Sequence, residues 1–244
     1  MKDSIKRILA LTRKECYQAF HSPALYGTAV FFILFVSIWF FYLNRFFIRD
    51  TASLRMFFAG FPLAFILVIP VITMKSWAEE RKLNSLEILL TMPFSEWELC
   101  LGKFLSSLLS LLPMILLTVP VPISLFPLGD FDAGVIAGEY IGALLLGASA
   151  ISLGLFLSAL SKNQAASFLG SAVVLMIIML INQFTAWASL PAWLSQALNY
   201  ISLSFHFESF ARGLLDSRDL AFFILTTALF LFLNTRVLIR RRWS

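Results

Sequence analysis

The chain has 244 residues, of which 59% are hydrophobic and 14% are charged. A soluble domain carries about 25% charged residues, so this composition excludes a soluble globular protein and indicates an integral membrane protein. Lys and Arg number 19 against 14 Asp and Glu. In a membrane protein this excess reports topology and contact with anionic lipid rather than nucleic-acid binding.

Residues 1–22 form a basic segment that is too charged to cross a membrane. In a helix, its apolar side chains would fall near one face and its five Lys and Arg residues would occupy much of the rest, with the apolar set being Ile5, Ile8, Leu9, Cys16 and Phe20. This pattern predicts an amphipathic helix lying on the cytoplasmic leaflet. It fits a simple basic anchor and a functional hinge equally well. Ser22 is predicted to cap the first span, and Pro23 suits its first turn.

Six apolar stretches are long enough to span a bilayer, which takes about 20 residues in a helix. They cover residues 24–43, 56–74, 104–126, 135–160, 165–187 and 220–239. With six spans, both termini lie on the same side. That side carries 14 Lys and Arg against five on the other, so the positive-inside rule makes it cytoplasmic. The predicted fold is therefore an all-α, six-span membrane domain covering residues 1–244.

Within the spans, charge is nearly absent. Glu139 lies near the outer start of the fourth span, where it could reach the headgroups, so the pattern argues against a proton-coupled transporter built from these spans. Asn182 and Gln183 are predicted to hydrogen-bond across helices. Prolines near the outer end of the third span predict a break in the helix, which could be a surface end or an irregular wall of a substrate path.

Small residues recur at helical spacing along the fourth span, including Gly138, Gly142, Gly147 and Gly154. Small side chains allow close approach of helix backbones. The spacing predicts tight packing, either within the chain or across a dimer.

Residues 188–218 are predicted to lie outside the cell, but they are rich in Leu, Phe, Trp and Tyr. We expect short re-entrant or capping helices there. His206 and Glu208 are two residues apart and face different ways on a helix, so a local hydrogen bond is favoured over a metal site. Cys16 and Cys100 lack the spacing of a disulfide or metal framework.

The stretch between the second and third spans, residues 76–95, is charged and helical in pattern. "AEERKLNSLEILL" predicts a short amphipathic helix that Pro93 ends. A new helix is predicted to begin at Ser95, with Glu98 closing a capping box and Phe94 and Leu99 forming a hydrophobic staple. The segment fits a surface connector or a docking element for a cytoplasmic partner.

Catalytic motifs are missing from the sequence. It has no P-loop, no G-x-S-x-G and no H-E-x-x-H, and it contains only two histidines. We therefore expect a non-catalytic chain without a cofactor or metal of its own, and an intramembrane hydrolase is disfavoured.

The segment "EERKLNSLEILLTMPFSEWELCLGKF" resembles the stretch after the second span in ABC-2-type permeases. The matching positions are Glu79, Glu80, Leu86, Glu87, Leu89, Leu90, Thr91, Pro93, Leu101, Gly102 and Lys103. Asn84 and Ser85 replace the usual Gly-Thr of that family. The stretches "HSPALYG", "SKNQAASF" and "FHFESFARGLLDSRDLAFF" also look like the gliding-motility-associated subfamily.

The resemblance implies a permease in the inner, cytoplasmic membrane that pairs with a second permease, the same or related, possibly one with a large external domain. Two copies of a cytoplasmic ATPase subunit would bind ATP and Mg. In this family the helix after the second span is a coupling helix, and residues 1–22 would be the connecting helix. The residues implied to bind the ATPase are Glu79, Glu80, Arg81, Leu86, Glu87, Leu89 and Leu90. The chain would then export a solute or perform mechanical work. As the alternative, it would transmit ATPase motion to periplasmic partners without moving a solute.

Overall fold

The computed structural model describes residues 2–46, 53–83, 94–129, 131–187, 191–211, 213 and 216–242. All regular elements in these ranges are helical, and six helical segments are long and apolar enough to cross a membrane. The predicted all-α fold with six spans is confirmed, and we number these segments spans 1 to 6.

The helices, in chain order, are as follows. Before the first span lies α1 (Lys2–Phe20). Span 1 (Pro23–Leu43) is α2 (Pro23–Ser37) continued by a π-helical turn (Ile38–Leu43), and span 2 (Arg55–Lys82) comprises α3 (Arg55–Phe58), α4 (Gly60–Thr73) and α5 (Ala78–Lys82). Span 3 (Glu96–Leu125) comprises α6 (Glu96–Leu116) and α7 (Pro120–Leu125), with a 3₁₀ turn following at Phe126–Leu128. Span 4 is α8 (Ala133–Leu160) and span 5 is α9 (Gln164–Trp187), then come α10 (Ala192–Ile201) and α11 (Leu203–Phe210), and α12 (Ser217–Arg242) contains span 6 (Ser217–Arg240).

Spans 2 and 4 form the centre of the bundle. In their most apolar windows 61% and 67% of the residues are buried, against 22% in spans 1 and 5 and 28% in span 6. Aromatic rings fill the space around span 2: Phe61 makes an edge contact with Phe32, and Phe58 makes one with Tyr140 of span 4. Spans 1, 5 and 6 therefore direct most of their apolar surface away from the rest of the chain.

Span 3 is broken, as its prolines predict. Its first helix ends at Leu116, and a turn at Leu117–Val119 precedes the helix that starts at Pro120. Pro cannot donate a backbone hydrogen bond, and Thr118 in the turn contacts the Tyr140 hydroxyl at 3.1 Å. The break is held by a contact to span 4.

The N-terminal helix packs along span 3 through Leu11 and Thr12, which are buried against the bundle. Ile5 and Leu9, members of the predicted apolar face, are 52% and 59% exposed, so they remain available to the membrane surface on which the helix is predicted to lie. The sequence pattern did not predict the contact to span 3, which uses polar as well as apolar side chains.

Ser22 occupies the N-cap position of span 1 and Pro23 its first turn, but the Ser22 side chain makes no capping hydrogen bond. Its hydroxyl instead accepts a hydrogen bond from the Lys75 ammonium at 3.4 Å. The predicted side-chain cap is therefore replaced by a contact to the end of span 2.

Two short helices, α10 and α11, lie between spans 5 and 6. Phe207 and Phe210 of α11 are buried, whereas α10 has no buried residue. Asn182 donates a hydrogen bond to the Glu208 carboxylate at 3.1 Å, which confirms the predicted hydrogen bonding of Asn182 across helices.

Candidate functional site

A buried lysine is the centre of the most polar cluster at one end of the bundle. Lys103, near the start of span 3, has only 1% of its side chain exposed. Its ammonium group donates hydrogen bonds to Glu80 at 2.8 Å and Glu15 at 3.2 Å, and it lies 4.9 Å from the centre of the Trp77 ring. We call these four residues the Lys103 cluster. A buried ammonium costs several kcal/mol unless it is paired, and here two carboxylates and an aromatic face stabilise it.

The cluster joins three separate parts of the chain. Glu15 belongs to α1, Trp77 and Glu80 to the end of span 2, and Lys103 to span 3. We call this the N-terminal end of the bundle because α1 packs against it. The Lys103 cluster is thus an ionic junction between the N-terminal helix and two spans.

The glycine before Lys103 explains how α1 comes so close. A Cβ atom at Gly102 would lie 2.6 Å from the Leu11 side chain, a distance that no real contact adopts. The Thr12 hydroxyl is also 3.3 Å from the Gly102 carbonyl oxygen, and the Cys16 thiol is 3.9 Å from the Ser106 carbonyl oxygen. Glycine at position 102 therefore allows α1 to pack closely against span 3. This packing brings the Glu15 carboxylate within 3.2 Å of the Lys103 ammonium.

The end of span 2 is also fixed to span 4. The backbone N–H groups of Trp77 and Ala78 each donate to the Ser158 hydroxyl at 3.3 Å. The Arg81 guanidinium donates to the Ser161 carbonyl oxygen at 3.0 Å. Residues 77–81 are therefore tied both to the Lys103 cluster and to the end of span 4.

The first helix of span 3 begins after Ser95, as the sequence predicts. Ser95 and Glu98 form a complete capping box: the Ser95 N–H donates to the Glu98 carboxylate at 3.0 Å, and the Glu98 N–H donates to the Ser95 hydroxyl at 3.3 Å. The same carboxylate lies 3.9 Å from the Arg7 guanidinium of α1. Both sides of residues 84–93 are thus connected to α1. Glu80 shares the Lys103 ammonium with Glu15 of α1, and Glu98 faces Arg7 of α1 directly.

The residues implied to bind an ATPase fall into two groups. Glu79 is half-buried beside a cavity, whereas Glu80 is turned toward Lys103 and Arg81 toward Ser161. The other members lie outside the described residues, namely Leu86, Glu87, Leu89 and Leu90.

The four glycines of span 4 that are predicted to mediate packing lie next to other parts of the same chain. The atom nearest to a Cβ at Gly138 is the Phe210 carbonyl oxygen, at 3.9 Å. At Gly142 a Cβ would come within 2.7 Å of the Phe210 ring. A Cβ at Gly147 would collide with a leucine of span 3, and one at Gly154 would lie 2.5 Å from the Thr73 hydroxyl of span 2. These contacts correspond to the first predicted alternative, which is close packing within the chain.

A cavity of about 430 Å³ adjoins the Lys103 cluster. Its walls come from α1, the first turns of span 1, the end of span 2 and the first turns of span 3. It combines lysines and carboxylates at one side with hydroxyl and aliphatic side chains deeper in.

The opposite end of the bundle holds a buried histidine–aspartate contact. His206 Nδ1 and Asp219 Oδ1 are 2.6 Å apart, and His206 Nε2 lies 3.0 Å from the Tyr200 carbonyl oxygen. Both ring nitrogens therefore lie within hydrogen-bond distance of an oxygen atom. His206 and Glu208 point to different partners, as their spacing predicts. Within the described residues, no group of three or more His, Cys, Asp or Glu side chains is placed to hold a metal ion.

Glu139 differs from its predicted headgroup position. Its side chain is inside the bundle with 1% exposure, and its Oε1 atom has no hydrogen-bond partner among the described residues. The third span predicted from the sequence begins at residue 104 and therefore leaves Lys103 outside it. The available signal was its position directly after a glycine and at the start of a long apolar run, which places it on the spanning helix itself.

Comparison with known proteins agrees with the fold. The family model described as "ABC-2 family transporter protein" matches residues 49–236, well over half of the chain. Two curated proteins, from Escherichia coli strain K12 and from Escherichia coli O157:H7, are each named "Probable multidrug ABC transporter permease YbhR". Each is 27% identical over 145 residues, which is 59% of this chain and 39% of the relative. The match therefore spans about two fifths of the length of these relatives.

Proposed function

The chain belongs to the ABC-2 family of transporter proteins, and from this membership we propose that it is the permease subunit of an ABC transporter driven by a separate ATPase. It would lie in the inner, cytoplasmic membrane with both termini in the cytoplasm, where the positive-inside rule puts its basic end. ATP and Mg would bind to two copies of the ATPase subunit, and this chain would carry no catalytic residue of its own.

The observation that carries the coupling role is the set of contacts on both sides of residues 84–93. On one side Glu80 pairs with Lys103 and Arg81 with the Ser161 carbonyl. On the other side Glu98 caps span 3 and lies close to Arg7. A displacement of residues 84–93 by a partner would therefore reach spans 2, 3 and 4 and α1 together.

We assign different roles to the residues of this segment. Glu80 and Arg81 are held by partners within the chain, so we propose that they fix the segment to the bundle. Glu79, Leu86, Glu87, Leu89 and Leu90 would contact the ATPase, with leucines filling a partner groove and carboxylates setting the register.

A second permease subunit would complete the membrane part. Spans 1 and 5 have only 22% of their most apolar windows buried within the chain. Bundles of spans associate by close packing in the membrane, and we propose that the second permease packs on these two spans. This partner would be a second copy or a relative, possibly one with a large external domain.

Two versions of this function, export and mechanical work, differ in whether a solute crosses the membrane. The curated relatives carry the word "multidrug" in their names, which supports export of an apolar or amphipathic solute. The low intramembrane charge of this chain is also compatible with mechanical work on periplasmic partners. ATPase activity in reconstituted vesicles that rises when a candidate solute is added favours export, whereas activity that responds only to a protein partner favours mechanical work.

Affinity purification in mild detergent tests the proposal. We expect the wild-type chain to bring down a P-loop ATPase, and the double variant Glu79→Lys/Glu87→Lys to lose it. Asp216→Lys is the matched control, because this exposed carboxylate lies before span 6 at the opposite end of the bundle. Equal recovery of the ATPase with both variants, at equal membrane levels, would contradict the assigned contact.

A further inference from the structure

The cavity beside the Lys103 cluster reaches into the bundle. It extends along span 3 from Lys103 to Ser110 and along span 1 from Ser22 to Thr28. Seven residues of helix from Lys103 to Ser110 correspond to about 10 Å. Half of the hydrocarbon core is about 15 Å thick, so a cavity of this length that opens at the membrane surface would reach well into one leaflet.

The deep wall of the cavity offers hydrogen-bond acceptors. Thr28, Ser106, Ser107 and Ser110 each donate their hydroxyl proton to a carbonyl oxygen of their own helix, at 2.6–2.9 Å. A hydroxyl that donates in this way still has lone pairs that can accept. These lone pairs fit a ligand group that carries several N–H or O–H donors.

The carboxylates that line the cavity favour a cationic group. The lining carries charges of both signs, three lysines and three glutamates, and the Lys103 ammonium is already shared between the Glu15 and Glu80 carboxylates. Glu79 adds a third carboxylate to the lining. An ammonium group with N–H donors would satisfy both this charge and the hydroxyl acceptors.

Two exposed lysines, Lys14 and Lys75, also line the cavity. Within the described part of the chain, Lys75 makes one long contact, of 3.4 Å to the Ser22 hydroxyl. Two ammonium groups at a membrane surface bind a phosphate well. Leu25, Val71 and Ile72 complete the lining with aliphatic surface, which suits the start of an acyl chain.

We propose that this cavity binds the headgroup of a phospholipid that carries a primary amine, of the phosphatidylethanolamine type, from the leaflet on the side of α1. The ammonium lies among the hydroxyls of spans 1 and 3, and the phosphate lies between Lys14 and Lys75. Phosphatidylcholine fits less well because its quaternary ammonium has no N–H donor, and phosphatidylglycerol because it has no cation. This site is independent of whether the chain couples to an ATPase.

Intact-mass measurement of the full chain released from lipid nanodiscs tests the proposal. The nanodiscs hold equal parts of phosphatidylethanolamine, phosphatidylcholine and phosphatidylglycerol. We expect one phosphatidylethanolamine to stay on each chain, with at least about a tenfold preference over phosphatidylcholine, as one charge-assisted hydrogen bond would give. Equal retention of the two lipids, or preferred retention of phosphatidylglycerol, would overturn the proposal without the need for any variant.

A triple variant locates the bound lipid. Thr28→Val/Ser107→Ala/Ser110→Ala removes three acceptors with little change of volume, and we expect it to lose the preference for the primary amine. The control Ser124→Ala/Ser195→Ala/Thr226→Val removes three hydroxyls that do not line the cavity, and we expect it to retain lipid as the wild type does. Undiminished preference in the cavity variant would exclude this site.

Discussion

Replacing Lys103 by methionine tests whether the Lys103 cluster holds α1 and two spans together. Methionine fills most of the same volume but leaves the carboxylates of Glu15 and Glu80 without their shared donor. Removing one partner of a buried ion pair costs about 3–5 kcal/mol. The two carboxylates keep 15% and 18% of their side-chain surface exposed and border the cavity, so they can regain water. We therefore expect a loss at the lower end, about 3 kcal/mol.

Thermal unfolding of the purified chain in detergent measures this loss. For a chain of this size 1 kcal/mol corresponds to about 2–4 °C in Tm, so Lys103→Met should lower Tm by about 6–12 °C. The variant Lys103→Met/Glu15→Gln/Glu80→Gln carries no uncompensated charge. We expect it to recover at least half of the lost stability, because the cost comes mainly from buried carboxylates without a partner.

Lys162→Met is the matched control for the removal of a lysine. Lys162 is exposed at the turn between spans 4 and 5, and surface substitutions of this kind stay within about 0.5 kcal/mol. Two results would refute the reasoning: a Lys103→Met variant that melts with the control, or a neutralised triple variant that is no more stable than Lys103→Met alone.

Two further substitutions and one labelling experiment test other features of the structure. Gly142→Ala should destabilise the chain by about 1–3 kcal/mol, seen as a lower Tm, because its Cβ would lie 2.7 Å from the Phe210 ring. Asp219→Asn should cost about 2 kcal/mol or more, because it removes the buried charge that faces His206. Cys16 should react slowly with a maleimide that cannot cross the membrane, because burial and the neighbouring Glu15 raise the pKa of its thiol. The rate should rise with pH as thiolate forms. Because we propose that α1 lies in the cytoplasm, the label should react only from the cytoplasmic side.

Each of these tests has a control within the chain. Gly170→Ala has open space around the new Cβ and should leave Tm unchanged or raise it slightly. Asp216→Asn alters an exposed carboxylate near the same end as Asp219 and should have a small effect. Cys100 is fully buried and should stay unlabelled in the folded chain. Equal effects within a pair, or labelling of Cys16 from the outer side, would show that the assigned contact or the assigned orientation is wrong.

The candidate site was only partly visible in the sequence. The capping box at Ser95 and Glu98 follows from local spacing, and the structure confirms it. The side of α1 that packs on span 3 could not be predicted in the same way. It includes the polar residues Thr12 and Glu15, whereas Ile5 and Leu9 are exposed. A hydrophobic pattern shows how polar each residue is, but it does not show which polar side chain will form a hydrogen bond or an ion pair with a distant residue.

The sequence by itself determined the membrane class, the six spans and the positions where helices begin and break, since these depend on the length of apolar runs, on proline and on local capping. Only the tertiary structure decided that Lys103 is buried between two carboxylates from distant parts of the chain, that Glu139 lies inside the bundle, and that the span 4 glycines pack against Phe210, Leu111 and Thr73 of the same chain. Glu15 and Lys103 are 88 residues apart. A charge pair of that separation follows from how the helices pack, and no local pattern in the sequence encodes it.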